Sequence, residues 1–130
     1  MIDLIKVLIV DDDINICETL QDILIEKGGY MVTVAHSGVE AISLAKEYVQ
    51  DMIFLDMRLP VMSGLEIYLA IREFDAKVPV IIMTAYQFEL KHCVDEALLK
   101  GAQACIHKPV DAEAVFKVLE EAGKNRGEHA

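Results

Sequence analysis

Apolar residues follow two patterns that alternate along the chain: short unbroken runs and longer stretches at helical spacing. Residues 6–10 read as a strand, apolar over 7–10, that stops at Asp11-Asp12-Asp13. Ile16, Leu20, Ile23 and Leu24 then share one helical face, and Gly28-Gly29 ends that helix. Residues 30–35 carry Val32, Thr33 and Val34 and read as a second strand. Ser37-Gly38-Val39-Glu40 has the form of a capping box, so a second helix starts there, with Ala41, Leu44, Ala45 and Tyr48 as its buried stripe. Residues 51–56 read as a third strand, whose apolar run 52–55 ends in Asp56 before Pro60 and Gly64 break the chain. Ser63-Gly64-Leu65-Glu66 repeats the capping-box form and starts a third helix reaching about Phe74. Residues 78–84 predict a fourth strand that ends on Thr84. Leu90, Cys93, Val94, Ala97 and Leu98 mark a fourth helix, closed by Gly101. A short fifth strand covers 104–107. Asp111 caps a last helix carrying Val115, Val118, Leu119 and Ala122.

Strand and helix therefore alternate throughout, without a sequence repeat. Strands that are apolar at every position, rather than at every second one, are covered on both faces. That predicts an α/β fold with a doubly wound parallel sheet and helices on either side. A chain of 130 residues suits one such domain with a sizeable core. The domain is expected over residues 1–123, with 124–130 a polar tail or the start of a linker.

Composition narrows the functional classes. A formal net charge of −10 argues against binding a phosphate backbone, so no direct nucleic-acid partner is expected. Hydrophobic content of 54% and a mean hydropathy of +0.34 argue against a disordered chain. Cys17, Cys93 and Cys105 are odd in number and lack a CxxC spacing, which fits reduced thiols in a cytoplasmic protein. No apolar stretch approaches a membrane span, and the short run at 7–10, followed at once by acids, is not a secretory leader.

Folds of this class gather their chemistry at the C-terminal ends of the strands. Here those ends carry Asp11, Asp12, Asp56, Thr84 and Lys108. Two carboxylates ~4 Å apart repel by about 4 kcal/mol at an effective dielectric of roughly 20, so the acids need a cation, a proton or a Lys. Oxygen ligands favour Mg²⁺ over Zn²⁺. Acids after a strand can also simply cap the next helix, and Asp13 is assigned that role because it directly precedes one. Lys108 is either a solvated surface Lys or, aimed by Pro109, a partner for the carboxylates or for a phosphoryl oxygen; a cis Lys108-Pro109 bond is compatible with that turn. Thr84 is either a β-branched strand residue or a hydroxyl donor beside the small Ala85. Together these parts suit phosphoryl transfer: Asp56 as nucleophile, Mg²⁺ and Lys108 neutralising charge, Thr84 taking one oxygen.

With VLIVDDD, FLDMRLPVMSG, VIIMTAY and HKP in that order, the chain from Ile5 to about Ala122 resembles a response-regulator receiver domain of two-component signalling. VIIMTAY is most similar to the single-domain receivers of sporulation-type phosphorelays and to the receivers of enhancer-binding transcription regulators; a chemotaxis-like stand-alone receiver has the same form. The resemblance implies a flavodoxin-like sheet in the order 2-1-3-4-5 with five helices. It implies that Asp56 accepts a phosphoryl group from the phosphohistidine of a histidine kinase or histidine phosphotransferase, and that this switches binding to a downstream protein or an output domain, with or without dimerisation. It implies Mg²⁺ held by Asp12, Asp56 and the Arg58 main-chain carbonyl, with Asp11 acting through water, and Thr84 and Lys108 as the family's hydroxyl and amine. Such a domain is not an enzyme beyond assisting its own phosphorylation and dephosphorylation.

The sequence departs from the family pattern in informative places. Cys105 stands where receivers usually carry a switching Tyr or Phe, Val110 where a Phe often follows the Lys-Pro pair, and Ser63 where an acid is common. Bulky Arg58 and Tyr86 flank the site and are expected to shield the phosphoryl group from water. The fourth-helix face with Lys91, His92, Asp95 and Glu96 is either a contact region or an ordinary solvated face. His36, His92, His107 and His129 share no metal or dyad spacing, and His107 is expected to be packed. Three readings compete with the receiver. A Mg²⁺-dependent aspartyl phosphatase needs an acid two residues after its nucleophile, where Arg58 stands. A flavin or nucleotide module needs a phosphate loop where the three acids stand. A phosphorylation-independent interaction module has no need of the full set of acids, Thr and Lys.

Overall fold

The computed structural model describes residues 3–85 and 91–125. Parallel strands β1 (Ile5–Val10), β2 (Tyr30–Ala35), β3 (Met52–Asp56), β4 (Val80–Thr84) and β5 (Ala104–His107) form one sheet in the order β2-β1-β3-β4-β5. Helices α1 (Ile14–Lys27), α2 (Gly38–Glu47), α3 (Gly64–Phe74), α4 (Lys91–Leu99) and α5 (Ala112–Asn125) alternate with them. This is the expected doubly wound α/β fold.

Alternation within the strands divides the core into two layers. Val7, Ile9, Phe54, Ile81 and Met83 face α1 and α5, whose Leu20, Leu24, Val115 and Leu119 close over them. Leu8, Val10, Ile53, Leu55 and Ile82 face the other way, toward Ala41, Ile67, Ile71 and Ala97 of α2, α3 and α4. Each large side chain so buried is worth about 1.5–3 kcal/mol. The central strands β3 and β4 are buried at every position, whereas the edge strands β2 and β5 are only partly covered.

The helix ends follow the local chemistry. Asp13 caps α1 by accepting from the Asn15 and Ile16 amides, and Gly28, at φ +85°, supplies the left-handed backbone that stops it. Ser63 and Glu66 form the full reciprocal box at α3. At α2 only half of the box forms: the Ser37 hydroxyl accepts from the Glu40 amide, but the Glu40 carboxylate reaches one residue further back, to the His36 amide at 2.9 Å. Asp111 accepts from the Ala114 amide at 2.8 Å and starts α5.

Two packing expectations fail. Tyr48 is 57% exposed, because α2 ends at Glu47 and Tyr48, in extended conformation, leaves the helical face. His107 is exposed, because β5 is an edge strand and its last residue lies beyond the covered part. Leu90 of the expected α4 stripe lies outside the described residues. No helix among the described residues is long and apolar enough to cross a membrane.

Candidate phosphoryl-acceptor site

The strand order builds the site. β1 has β2 on one side and β3 on the other, so the connections diverge there and leave a crevice above the C-terminal ends. Val10 pairs with Leu55, which places Asp11 beside Asp56 at the next register position. Thr84 pairs with His107, so Lys108 leaves β5 directly beyond Thr84, and its amide donates to the Thr84 carbonyl at 2.8 Å. The Lys108–Pro109 bond is cis.

Carboxylate oxygens of Asp11, Asp12 and Asp56 lie within 4.8 Å of one another. Lys108 Nζ is 2.7 Å from Asp11 Oδ2 and 3.3 Å from Asp56 Oδ1, with the Asp11 side chain fully buried. These residues, with Asp13, Arg58, Leu59, Pro60 and Ala85, line an open cavity of about 380 Å³. Asp12 and Arg58 are exposed at its rim, and Tyr86 lies outside the described residues.

Gly64 permits this geometry. A Cβ on Gly64 would lie 2.6 Å from the Asp56 carbonyl oxygen and 2.6 Å from Met57 Cα. Only a glycine lets α3 begin against the strand end that carries Asp56, where its amide donates to the Met57 carbonyl. The sequence marks Gly64 as a chain break, but its contact with the acceptor strand exists only in the fold.

Electrostatics set the ionisation of the acids. Burial pushes the Asp56 carboxyl up from 3.8 to about 6, and the Asp11 charge pushes the same way, while Lys108 and the Arg58 amide pull it down. Burial alone opposes charge on Lys108, yet the Asp11 and Asp56 carboxylates outweigh it and raise its pKa. One ammonium thus faces a cluster of three carboxylates. Asp11 Oδ2 is buried, and beyond the Lys108 ion pair it receives no directed hydrogen bond. An all-oxygen donor set with surplus negative charge fits a hard divalent cation such as Mg²⁺.

Not every expected site residue shares this cavity. Thr84, 2% exposed, lines a neighbouring space of about 390 Å³ with Lys91, Val94, Asp95, Leu98, Cys105 and His107. That space lies between α4 and β5, with Cys105 in its lining. Lys91 pairs with Asp95 at 2.7 Å, and both are well exposed, the arrangement of a solvated helix face. Residue periodicity gave no sign of one further group. His36 Nδ1 lies 3.0 Å from the Asp11 carbonyl oxygen, to which the buried Cys17 thiol donates at 3.4 Å. Burial, together with the Asp11 and Asp13 charges, pushes that thiol up to about 11, so it stays protonated as a donor.

Comparison with known proteins agrees with this geometry. Residues 7–120 match the Response regulator receiver domain family. Transcriptional regulatory protein ZraR of Klebsiella oxytoca is 38% identical over 121 residues, covering 91% of this chain and 26% of that protein. The chain thus spans about a quarter of that relative's length. Sporulation initiation phosphotransferase F of Bacillus subtilis is 36% identical over 110 residues, covering 85% of this chain and 86% of that one. A CheY-like receiver domain from Methanospirillum hungatei JF-1 superposes with a TM-score of 0.85 at 28% identity, covering 98% of this chain and all of that one.

The chain belongs to the response regulator receiver domain family. It is a phosphoacceptor domain of two-component and phosphorelay signalling rather than a classical catalytic enzyme, and its function is Mg-linked acceptance of a phosphoryl group.

Proposed function

We propose that Asp56 is the residue of this receiver that accepts the phosphoryl group, from a phosphohistidine of a histidine kinase or histidine phosphotransferase. The observation that carries this reading is the convergence of Asp11, Asp12 and Asp56 within 4.8 Å around one Lys108 ammonium. An Asp56 carboxylate oxygen forms the new P–O bond as the P–N bond to the donor imidazole breaks, and the imidazole nitrogen keeps the electron pair. Asp56 must be ionised to attack, which its pKa of about 6 allows at neutral pH.

Asp12, Asp56 and the Arg58 carbonyl would hold Mg²⁺ directly, with Asp11 acting through water; when bound, the ion offsets charge on the acids and on the phosphoryl oxygens. Lys108, already 3.3 Å from Asp56, is placed to hold one phosphoryl oxygen. Thr84 would take another. Because Thr84 borders the α4–β5 space, movement of its hydroxyl toward the phosphoryl group would change that face. A downstream protein or an output domain would then bind differently, or the domain would dimerise. The receiver is read as the domain expected over residues 1–123, with its last helix running on to Asn125, and it acts in the cytoplasm. The aspartyl phosphatase alternative lacks its acid, since Arg58 follows Asp56 by two residues.

Incubation with acetyl phosphate and Mg²⁺, read by intact mass, tests the assignment. The wild type gains one phosphoryl group and Asp56→Ala gains none. A gain that survives Asp56→Ala, or no gain in the wild type with any donor, overturns it.

A further inference from the structure

We propose that His36 is a positioning residue for the metal-binding acids, acting through the peptide plane that joins Asp11 to Asp12; this rests on the Mg²⁺ reading above. His36 lies between the end of β2 and the cap of α2, outside the acid cavity, and its ring Nδ1 is 3.0 Å from the Asp11 carbonyl oxygen. A carbonyl only accepts, so Nδ1 is the donor and carries the proton. The Cys17 thiol donates to the same oxygen from the α1 side. The Asp11 amide in turn donates to the Ala35 carbonyl at 3.1 Å. The backbone of Asp11 is thereby held at both its polar atoms.

The consequence reaches Asp12. A peptide unit is planar, so fixing the Asp11 carbonyl fixes the direction in which the chain enters the Asp12 Cα. Asp12 is exposed and its carboxylate makes no hydrogen bond among the described residues, so its aim depends on that backbone. His36 is itself anchored, because its amide donates to Glu40 Oε1 at 2.9 Å within the first turn of α2. The β2–α2 junction therefore acts as a brace behind the two adjacent acids. His36 Nδ1 and Cys17 Sγ lie 4.0 Å apart, so the two donors reach the carbonyl side by side.

Asn and Leu separate hydrogen bonding from bulk. An Asn side-chain amide nitrogen can stand near the place of His Nδ1, and Leu fills similar space without a donor. The Mg²⁺ dissociation constant is measured for wild type, His36→Leu and His36→Asn by amide-shift titration, with urea unfolding of each metal-free protein alongside. His36→Leu is expected to weaken Mg²⁺ binding about fivefold, below the roughly 10–100-fold lost with a partner bonded directly to a metal ligand, and His36→Asn to stay within about twofold of wild type. The metal-free urea midpoint of His36→Leu is expected to fall below that of His36→Asn, which keeps a donor to the Asp11 carbonyl; a merely structural loss would lower it without changing the Mg²⁺ dissociation constant. Wild-type affinity in His36→Leu, or equal weakening in both variants, overturns the proposal. Failure of the wild type itself to bind Mg²⁺ overturns the metal reading, and the brace with it.

Discussion

The two edges of the sheet handle buried charge in opposite ways. At the N-terminal edge Arg72 is matched by neutral dipoles: its Nε donates to the Tyr68 hydroxyl at 2.9 Å, and its guanidinium reaches the Asp75, Val78 and Gly101 carbonyls. Tyr68, fully buried, donates its own hydroxyl hydrogen bond to the Lys100 carbonyl at 2.9 Å. This network ties the end of α3 to the approaches of β4 and β5, and nothing in it calls for a further partner. At the C-terminal edge three carboxylates cluster about one ammonium that pairs with only two of them, Asp11 and Asp56, and burial of those two makes the imbalance costly. A satisfied charge network locks one arrangement, whereas an under-neutralised one responds to whatever cation, proton or phosphoryl group arrives. The same sheet thus carries a rigid edge and a responsive one.

The largest expected effect falls on the rigid edge. Arg72→Ala strips the donors from the Val78 and Asp75 carbonyls and leaves the Tyr68 hydroxyl without its guanidinium. A loss of about 2–3 kcal/mol in urea unfolding is expected, with Asp56 still phosphorylated at low temperature. Loss of phosphorylation in the folded variant would break the division of labour between the edges.

On the responsive edge the sign reverses. The Asp56 carboxyl has a folded pKa near 6, above its ordinary 3.8, so between those values the folded state binds more protons than the unfolded state. Its contribution to stability is therefore full below pH 3.8 and is lost as pH rises through about 6. Asp56→Asn removes the charge while keeping the shape, and is expected to stabilise the protein by about 1–2 kcal/mol at pH 7.5 and by almost nothing near pH 4, read from urea midpoints across pH. A variant less stable than wild type at pH 7.5 would place the Lys108 attraction above the burial penalty.

Metal removal is the next smaller effect. Mg²⁺ at about ten times its dissociation constant adds about 1.4 kcal/mol, so chelation at pH 7.5 is expected to lower Tm by several degrees. The difference should shrink as pH falls below about 6, where Asp56 takes a proton instead, and differential scanning calorimetry with and without EDTA reads it. The smallest effect concerns the α4–β5 space. Cys105→Phe adds a ring beside an existing cavity of about 390 Å³, and a stability change below about 1 kcal/mol is expected in a thermal melt. A large loss would mean that the space cannot admit an aromatic side chain.

Much of this was legible in the chain because local chemistry decided it. Unbroken apolar runs announced strands buried on both faces, and the structure buries β3 and β4 at every position. Asp13, Ser63 and Asp111 cap helices as their positions predict, since a cap needs only its own first turn. Local rules failed where an element ended or lay at an edge. Tyr48 continued the helical stripe on paper, but the helix had already stopped; His107 sat in a strand whose neighbour on one side is solvent. The α2 capping box predicted a bond within the box, yet Glu40 reaches His36 instead.

The order of strands, helices and motif residues along the chain determined the family, the fold class and the identity of the acids, because those follow from residue type and spacing. The tertiary structure alone decided how the groups divide among cavities. Asp11, Asp12, Asp56 and Lys108 share one, while Thr84 borders another that Cys105 also lines. It also decided that Gly64 must lack a side chain to let α3 meet the Asp56 strand, and that His36 braces Asp11 from 25 residues away. Such contacts join residues far apart in sequence, and side-chain periodicity carries no record of which strand becomes whose neighbour.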